Sequence, residues 1–352
     1  MAAAVVERAW RPSTPDAVER DLAALWRDLS QHGAIARAVM SNLVVFRLRE
    51  RRSSARRGPT RLEGRDGPER QDGAGDSLDD LIDRVVARHP SRTIVIEHDR
   101  GDYDPGQPMG ADVGVSVFGR PSAKYAIEWI VVRSACADAS LPSIVRRFVR
   151  GDVPTSVWWT EDVSCVPLRL ALVETGRQLL YDSRRWRNLP AGIRAVAPLL
   201  TSARVDVADL NWPRLAHLRL ALVHASASVP SGIAAGDTQI TYRPGEEPLA
   251  WLLAGWLAAR LGWSPKKWPT MNEGRDDDDV LSLQMGGDAG VLTVTLDDHR
   301  VRLEQPGAPP LVAAVPRPAD AEAIAAQLRA RSTETALRDA LTWLSKRIAS
   351  PG

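Results

Sequence analysis

Histidine, cysteine and clustered aspartate are the side chains whose chemistry is tested first in this 352-residue chain. His89, His98, His217 and His224 are acid–base candidates, yet none has a carboxylate at a spacing that demands proton transfer. The six histidines contain no H-E-x-x-H or similar ligand pair, so no metal site is expected. Cys136 and Cys165 have neither C-x-x-C spacing nor a neighbouring His, and two cysteines make no disulfide framework. The serines lack a G-x-S-x-G elbow. GADVG and GGDAG read as short turns rather than a strand–GxGxxG–helix unit, and no GxxxxGK[ST] occurs. Asp276–Asp279 has the charge to attract a divalent cation but lacks spaced ligands and a closing Glu, so it reads as a solvated loop. No catalytic, cofactor or metal residue is assigned. The chain reads as a non-enzyme, although sites assembled from distant residues are invisible at this level.

Composition narrows the classes further. Apolar residues make up 44% and charged residues 26%, an ordinary globular balance. A net charge of +2 argues against nucleic-acid capture, which needs a concentrated basic stripe. Charged residues break the N-terminal stretch where an export signal needs an apolar core. Leu249–Leu261, the longest apolar stretch, is too short to span a bilayer. The expectation is a cytoplasmic protein without membrane contact. Tryptophan is over-used, with 12 Trp against 3 Phe and 4 Tyr. Indoles serve deep packing and interfaces alike.

The elements that would position any site follow from periodicity. Thr14-Pro15-Asp16 opens a helix whose Val18, Leu22, Leu25 and Leu29 share one face. Asn42–Leu48 and Arg92–His98 read as buried strands. Val113–Val117 and Lys124–Arg133 follow as two adjacent strands. Arg49–Asp76 is charged, Gly-rich and poor in large apolar residues, and reads as a disordered loop inside the first domain. A short helix over Leu141–Arg150 leads into the strand Asp152–Trp159, where Trp158 and Trp159 must point to opposite faces.

Beyond it, Val166–Glu174 looks helical, Gln178–Asp182 strand-like and Leu189–Leu200 helical. Asp209 and Asn211 stand where a side-chain oxygen caps a helix, with Trp212 and Pro213 at its entrance. Leu215, Leu218, Leu222 and Ala225 form the buried stripe of that helix, and His217 and His224 lie near one face. Thr238–Tyr242 is a strand, and Glu246–Gly262 a helix apolar on nearly every side. Gly255 in its middle implies close approach of another backbone. Three strands from Leu281 to Glu304 form a meander, and helices over Asp320–Arg331 and Thr333–Ile348 end the chain. The expected fold is α/β: two α/β domains, 1–162 and 163–352, with mixed sheets flanked by helices.

Several stretches, taken in order, resemble one family. They are Asn42–Phe46 (NLVVF), His89–Ile94 (HPSRTI), Leu141 to Trp159 closing on VPTSVWW, Leu180–Ser183 (LYDS), Ala208–Leu215 (ADLNWPRL) and Leu253–Trp263 (LAGWLAARLGW). Together they resemble OpcA, the glucose-6-phosphate dehydrogenase assembly proteins of cyanobacteria and actinobacteria. The resemblance implies two α/β domains, no catalysis, and binding to glucose-6-phosphate dehydrogenase that promotes its active oligomer, in support of NADPH production by the oxidative pentose phosphate pathway. On this reading the contact is expected on an apolar, Trp-containing surface, with Trp158, Trp159, Asn211 and Trp212 as the candidates because strand ends and helix starts meet at one edge of such sheets. Cyanobacterial members are linked to thiol redox control through a Cys in an HPCR-like motif; here that position is Ser91. Of the remaining thiols, Cys165, just ahead of a helix, is the better placed for reactivity. Two other readings stay open. One is a sugar-phosphate enzyme with a site at the sheet's carboxyl edge; the other is a nucleic-acid-binding regulator acting through Arg49–Arg65.

Overall fold

The computed structural model describes residues 4–31, 35–49, 77–99, 109–120, 123–134, 136–202, 204–226, 237–287, 290–330 and 334–350. The loop expected over Arg49–Asp76 therefore lies outside the described residues, apart from Arg49. Two compact units emerge, Met1–Val153 with Asp320–Ala325, and Pro154–Ala319 with Ala326–Gly352. The division falls at 153/154, where the sequence suggested 162/163.

The first unit runs β1 (Ala4–Pro12), α1 (Pro15–Ser30), β2 (Ile35–Arg37), β3 (Ser41–Arg49), α2 (Leu78–Arg88), β4 (Ser91–Asp99), β5 (Gly110–Arg120), β6 (Ala123–Ser134) and α3 (Leu141–Phe148). Thr14 caps α1 by accepting from Ala17 N at 3.3 Å, and Val18, Leu22, Leu25 and Leu29 are all buried. The sheet order is β1-β5-β6-β4-β3, with β2 also on β6. β3, β4 and β6 are parallel, while β5 and β1 run antiparallel. In the parallel part Val45, Val95 and Val131 share one register row. Leu43 to Phe46 have no exposed surface, the near-continuous apolar run of a strand covered on both faces.

The second unit begins with three parallel strands, β7 (Thr155–Trp159), β8 (Gln178–Tyr181) and β9 (Asp206–Asp209). Between them lie α4 (Leu170–Val173) and α5 (Leu189–Leu200). The helix expected over Val166–Glu174 shrinks to that single turn, because Pro167 has no N–H to give and restricts the residue before it. After β9 come a 3-10 turn (Trp212–Leu215), α6 (Ala216–Ser226), β10 (Thr238–Tyr242), α7 (Glu247–Arg260), β11 (Thr270–Glu273), β12 (Leu281–Gly287), β13 (Gly290–Leu296), β14 (Arg300–Glu304), β15 (Leu311–Ala314), α8 (Asp320–Ala330) and α9 (Thr335–Ala349).

A sheet of order β11-β10-β12-β13-β14-β15 results. One register row, Ile240–Leu283–Val294–Leu303, is buried and continues to the exposed Leu311 on the edge strand, and α6 packs against β13 and β14 while α7 packs against β10. The opposite row is Thr241–Ser282–Thr295–Arg302–Val312, the alternation of a sheet covered on one side.

Tryptophan holds the helical layer of this unit. A Cβ on Gly255 would lie 2.7 Å from Leu344 Cγ and 3.0 Å from the Ala340 carbonyl, so α7 and α9 meet there at close range. Trp268 stands edge-on to Trp251 with centroids 5.1 Å apart and stacks on Trp343 at 5.9 Å. Trp343 Nε1 donates to the Trp263 carbonyl at 2.9 Å. Gly262, at φ +64°, ends α7 and lets Trp263 N reach Ala258 O at 2.9 Å. Among the described residues no helix is long and apolar enough to cross a membrane.

Candidate functional site

The carboxyl ends of β7, β8 and β9 gather the residues singled out beforehand. Trp158 and Trp159 lie on β7; Asn211 and Trp212 follow β9. All four are buried, at 4%, 1%, 0% and 3% exposure. Trp158 and Trp159 point to opposite sides of their strand, and both sides are covered.

Neither Asp209 nor Asn211 caps α6. Asp209 ends β9, and a 3-10 turn intervenes before the α-helix begins. Asn211 has helical dihedrals and makes no side-chain cap bond. Instead Asp209 Oδ1 accepts from Asn211 N at 2.9 Å and Ser183 N at 3.1 Å, tying the turn after β9 to the turn after β8. Asn211 Nδ2 donates to Ser183 Oγ at 3.2 Å, and its Oδ1 accepts from Arg214 at 2.9 Å. Arg214 grips Glu246 with two bonds of 2.7 and 2.6 Å. The same residue types that cap helices have built a turn lock, since an acceptor two residues from a free N–H serves either purpose.

Burial sets the electrostatics. It pushes the Asp209 carboxyl up to about 7, against the lowering effect of the Asn211 and Ser183 bonds, and the Asp182 charge pushes the same way. Burial, then the Asp209 charge, raises the Tyr181 phenol well above its ordinary value. Tyr181 stacks on Trp186 at 5.4 Å. Beside Asp209 opens a cavity of about 270 Å³, lined by Val207, Ala208, Asp209, Trp212, Gln327, Ala330, Glu334 and Leu337. Trp212 Nε1 donates to Glu334 Oε2, and Arg219 bonds Glu334 Oε1 while lying 4.0 Å from the indole centroid.

The other chemical candidates are dispersed. His89, which follows α2, is buried with Nε2 3.1 Å from Ser41 Oγ, and His98 lies near the end of β4, 3.1 Å from Asp138. His217 is half-buried and His224 exposed on α6. Ser91 has no exposed surface, sits 2.9 Å from Ser41 Oγ and donates to the His89 carbonyl. Cys165 is exposed and free, but the helix expected to begin beside it starts only at Leu170. Cys136 is free and half-buried. Asp278 folds back on Arg275 N at 2.7 Å, and among the described residues no group of three or more His, Cys, Asp or Glu is placed to hold a metal ion.

Sequence reasoning missed two ionic rows in the first unit. Arg47, Glu97 and Arg133 align across β3, β4 and β6. Burial raises the Glu97 carboxyl, but hydrogen bonds and charge from Arg47 and Arg133 outweigh it and hold it below the usual range. One strand-length away, Glu128, wholly buried, accepts Trp26 Nε1 at 3.1 Å and pairs with Arg37 and with Arg92 at 3.2 Å. The available signal was a charge inside an apolar strand (Arg92, Glu97, Glu128, Arg133), which needs a partner.

Comparison with known proteins bears on most of the chain. The family profile described as the glucose-6-phosphate dehydrogenase subunit N-terminal domain matches residues 82–198, and the corresponding C-terminal domain profile matches 205–341. Three curated relatives carry OpcA and the OxPP cycle in their names. The Nostoc punctiforme protein is 26% identical over 196 residues, covering 53% of this chain and 41% of that protein. The Synechocystis protein is 26% identical over 201 residues, covering 53% and 40%. The Synechococcus elongatus protein is 24% identical over 254 residues, covering 65% and 55%. The chain thus spans about two fifths to just over half of the relatives it matches.

Proposed function

The chain belongs to the OpcA family, and from that premise we propose that it is a non-catalytic subunit that binds glucose-6-phosphate dehydrogenase and promotes its active oligomeric state. The observation that carries this reading is the ordered pair of family matches, N-terminal domain then C-terminal domain, along one chain. Such a subunit activates only by binding the active state more tightly than the inactive one. It would act in the cytoplasm, raising NADPH output of the oxidative pentose phosphate pathway.

The contact is placed on the outer side of α6, where Leu220 and Val223 are 54% and 56% exposed. Apolar side chains one helical turn apart on an outward face suit protein contact. Asn211 and Trp212 support that surface from the foot of the helix. A sugar-phosphate enzyme would need cations facing its pocket. The cavity beside Asp209 presents Asp209 and Glu334 instead, and lends that reading no support.

The test mixes the purified chain with the dehydrogenase of the same organism, followed by light-scattering chromatography and initial rates. Co-elution is expected, with a lower KM for glucose 6-phosphate or a higher kcat and no turnover by the chain alone. Absence of a complex, with unchanged kinetics at saturating chain, overturns the reading.

A further inference from the structure

The cavity at the carboxyl end of β9 combines apolar walls with a buried acid. Its volume of about 270 Å³ equals roughly nine liquid waters, near the lower end of small-ligand pockets. Apolar Val207, Ala330 and Leu337 share its wall with Asp209, Trp212 and Glu334. Asp209 is 1% exposed; its Oδ1 accepts two backbone N–H groups, whereas Oδ2 is buried and has no hydrogen-bond partner among the described residues. Protonation does not cure this. The acid form would hold an O–H with nothing to accept it, and the ionised form a charge with nothing to balance it.

Arg214 and Arg219, described cations beside this turn, are committed elsewhere. Arg214 bonds Asn211 and Glu246, and Arg219 bonds Glu334 while covering Trp212. Glu334 is therefore neutralised, and among the described residues Asp209 is the carboxyl of this wall without a countercharge. A ligand that brings both an N–H donor and a positive charge supplies what is missing; an anion is repelled.

We propose that this cavity binds a short aliphatic amine, with its ammonium at Asp209 and its alkyl stem against Val207, Leu337 and the Trp212 ring. In a diamine the second ammonium reaches Glu334, whose side chain is half exposed at the rim. The site stands independently of the dehydrogenase reading, because its test reads binding to the isolated chain alone.

Calorimetry on the full chain compares 1,4-diaminobutane and n-butylamine with 1,4-butanediol, an uncharged counterpart of the diamine, at pH 6 and pH 8. Both amines should bind and the diol should not. Asp209→Asn should weaken amine binding at least tenfold. Ala330→Phe, at an exposed rim position that leaves the buried turn untouched, should do the same by filling the mouth. Because burial pushes the Asp209 carboxyl to about 7, binding at pH 6 must expel a proton. Affinity should therefore be weaker at pH 6 than at pH 8, with a heat at pH 6 that varies with buffer ionisation. Equal binding of the diol overturns the cationic ligand. Failure of both amines to bind, or affinities unchanged in both variants, overturns the site.

Discussion

Trp212 Nε1 donates a 2.6 Å hydrogen bond to Glu334 Oε2, joining the turn after β9 to the residue that precedes α9. Arg219, one turn into α6, bonds the other oxygen of the same carboxylate and covers the face of the indole. The Trp212 ring is therefore held at its edge by a group distant in sequence and on its face by one from the helix that follows it. Glu334 acts as the shared anchor.

Removing that indole should be costly. Trp212→Ala opens a large cavity at a position 3% exposed and leaves Glu334 short of a donor. A loss of about 3–5 kcal/mol is expected, read by urea denaturation. A loss below about 1 kcal/mol would show that the site collapses freely around the vacancy.

Asp209 should make stability depend on pH in a defined direction. Its folded value of about 7 lies above the unfolded carboxylate value near 3.9, so the folded state binds the extra proton between them. The contribution is fully present below about pH 4, declines as pH rises through about 7, and is absent above. Its ceiling is on the order of 4 kcal/mol. Denaturation at pH 5 and pH 8 should show wild type losing more stability than Asp209→Asn over that interval. Parallel losses in the two proteins would remove Asp209 as the cause.

Glu128 is the carboxylate shared by Arg37 and Arg92, with no exposed surface. Glu128→Gln keeps the shape but leaves the buried Arg92 to pair with the half-exposed Glu19. The expected cost is about 3–5 kcal/mol, measured by chemical denaturation. A near-neutral result would mean that solvent reaches the guanidinium groups.

Leu220→Glu combined with Val223→Glu tests the proposed contact without touching the core. Both side chains are more than half exposed, so stability should change by no more than about 0.5 kcal/mol for each. Binding to the dehydrogenase should weaken by about 2 kcal/mol or more, read by calorimetric titration. Full affinity in the double variant would place the contact on another face.

Much of the fold was legible because burial leaves a local period. Val18, Leu22, Leu25 and Leu29 recur at helical spacing because one side of α1 is covered. Leu189–Leu200 and Thr238–Tyr242 were read with the limits they have. Gly255 announced a close helix contact because a glycine inside a helix needs a compensating approach. β11 and β15 were missed because each has a neighbour on one side alone, so its residues are only partly covered and the alternation is weak. β9 was missed because Asp209 and Asn211 carry the same acceptors whether they cap a helix or lock a turn.

The ordered motifs of the chain were sufficient to indicate its family, since they are strings of residues and need no third dimension. The site was not legible in that way. Trp212 could be core or contact until Glu334 and Arg219 were found on it, and Asp209 became a buried acid only when Ser183 and Asn211 closed over it. Glu128 shows the same limit, for a charge in an apolar strand demands a partner but does not say which. Burial depth and ion pairing depend on residues far apart along the chain, and only their packing sets the local dielectric, the countercharge and the unpaired oxygen that give the β9 cavity its chemistry.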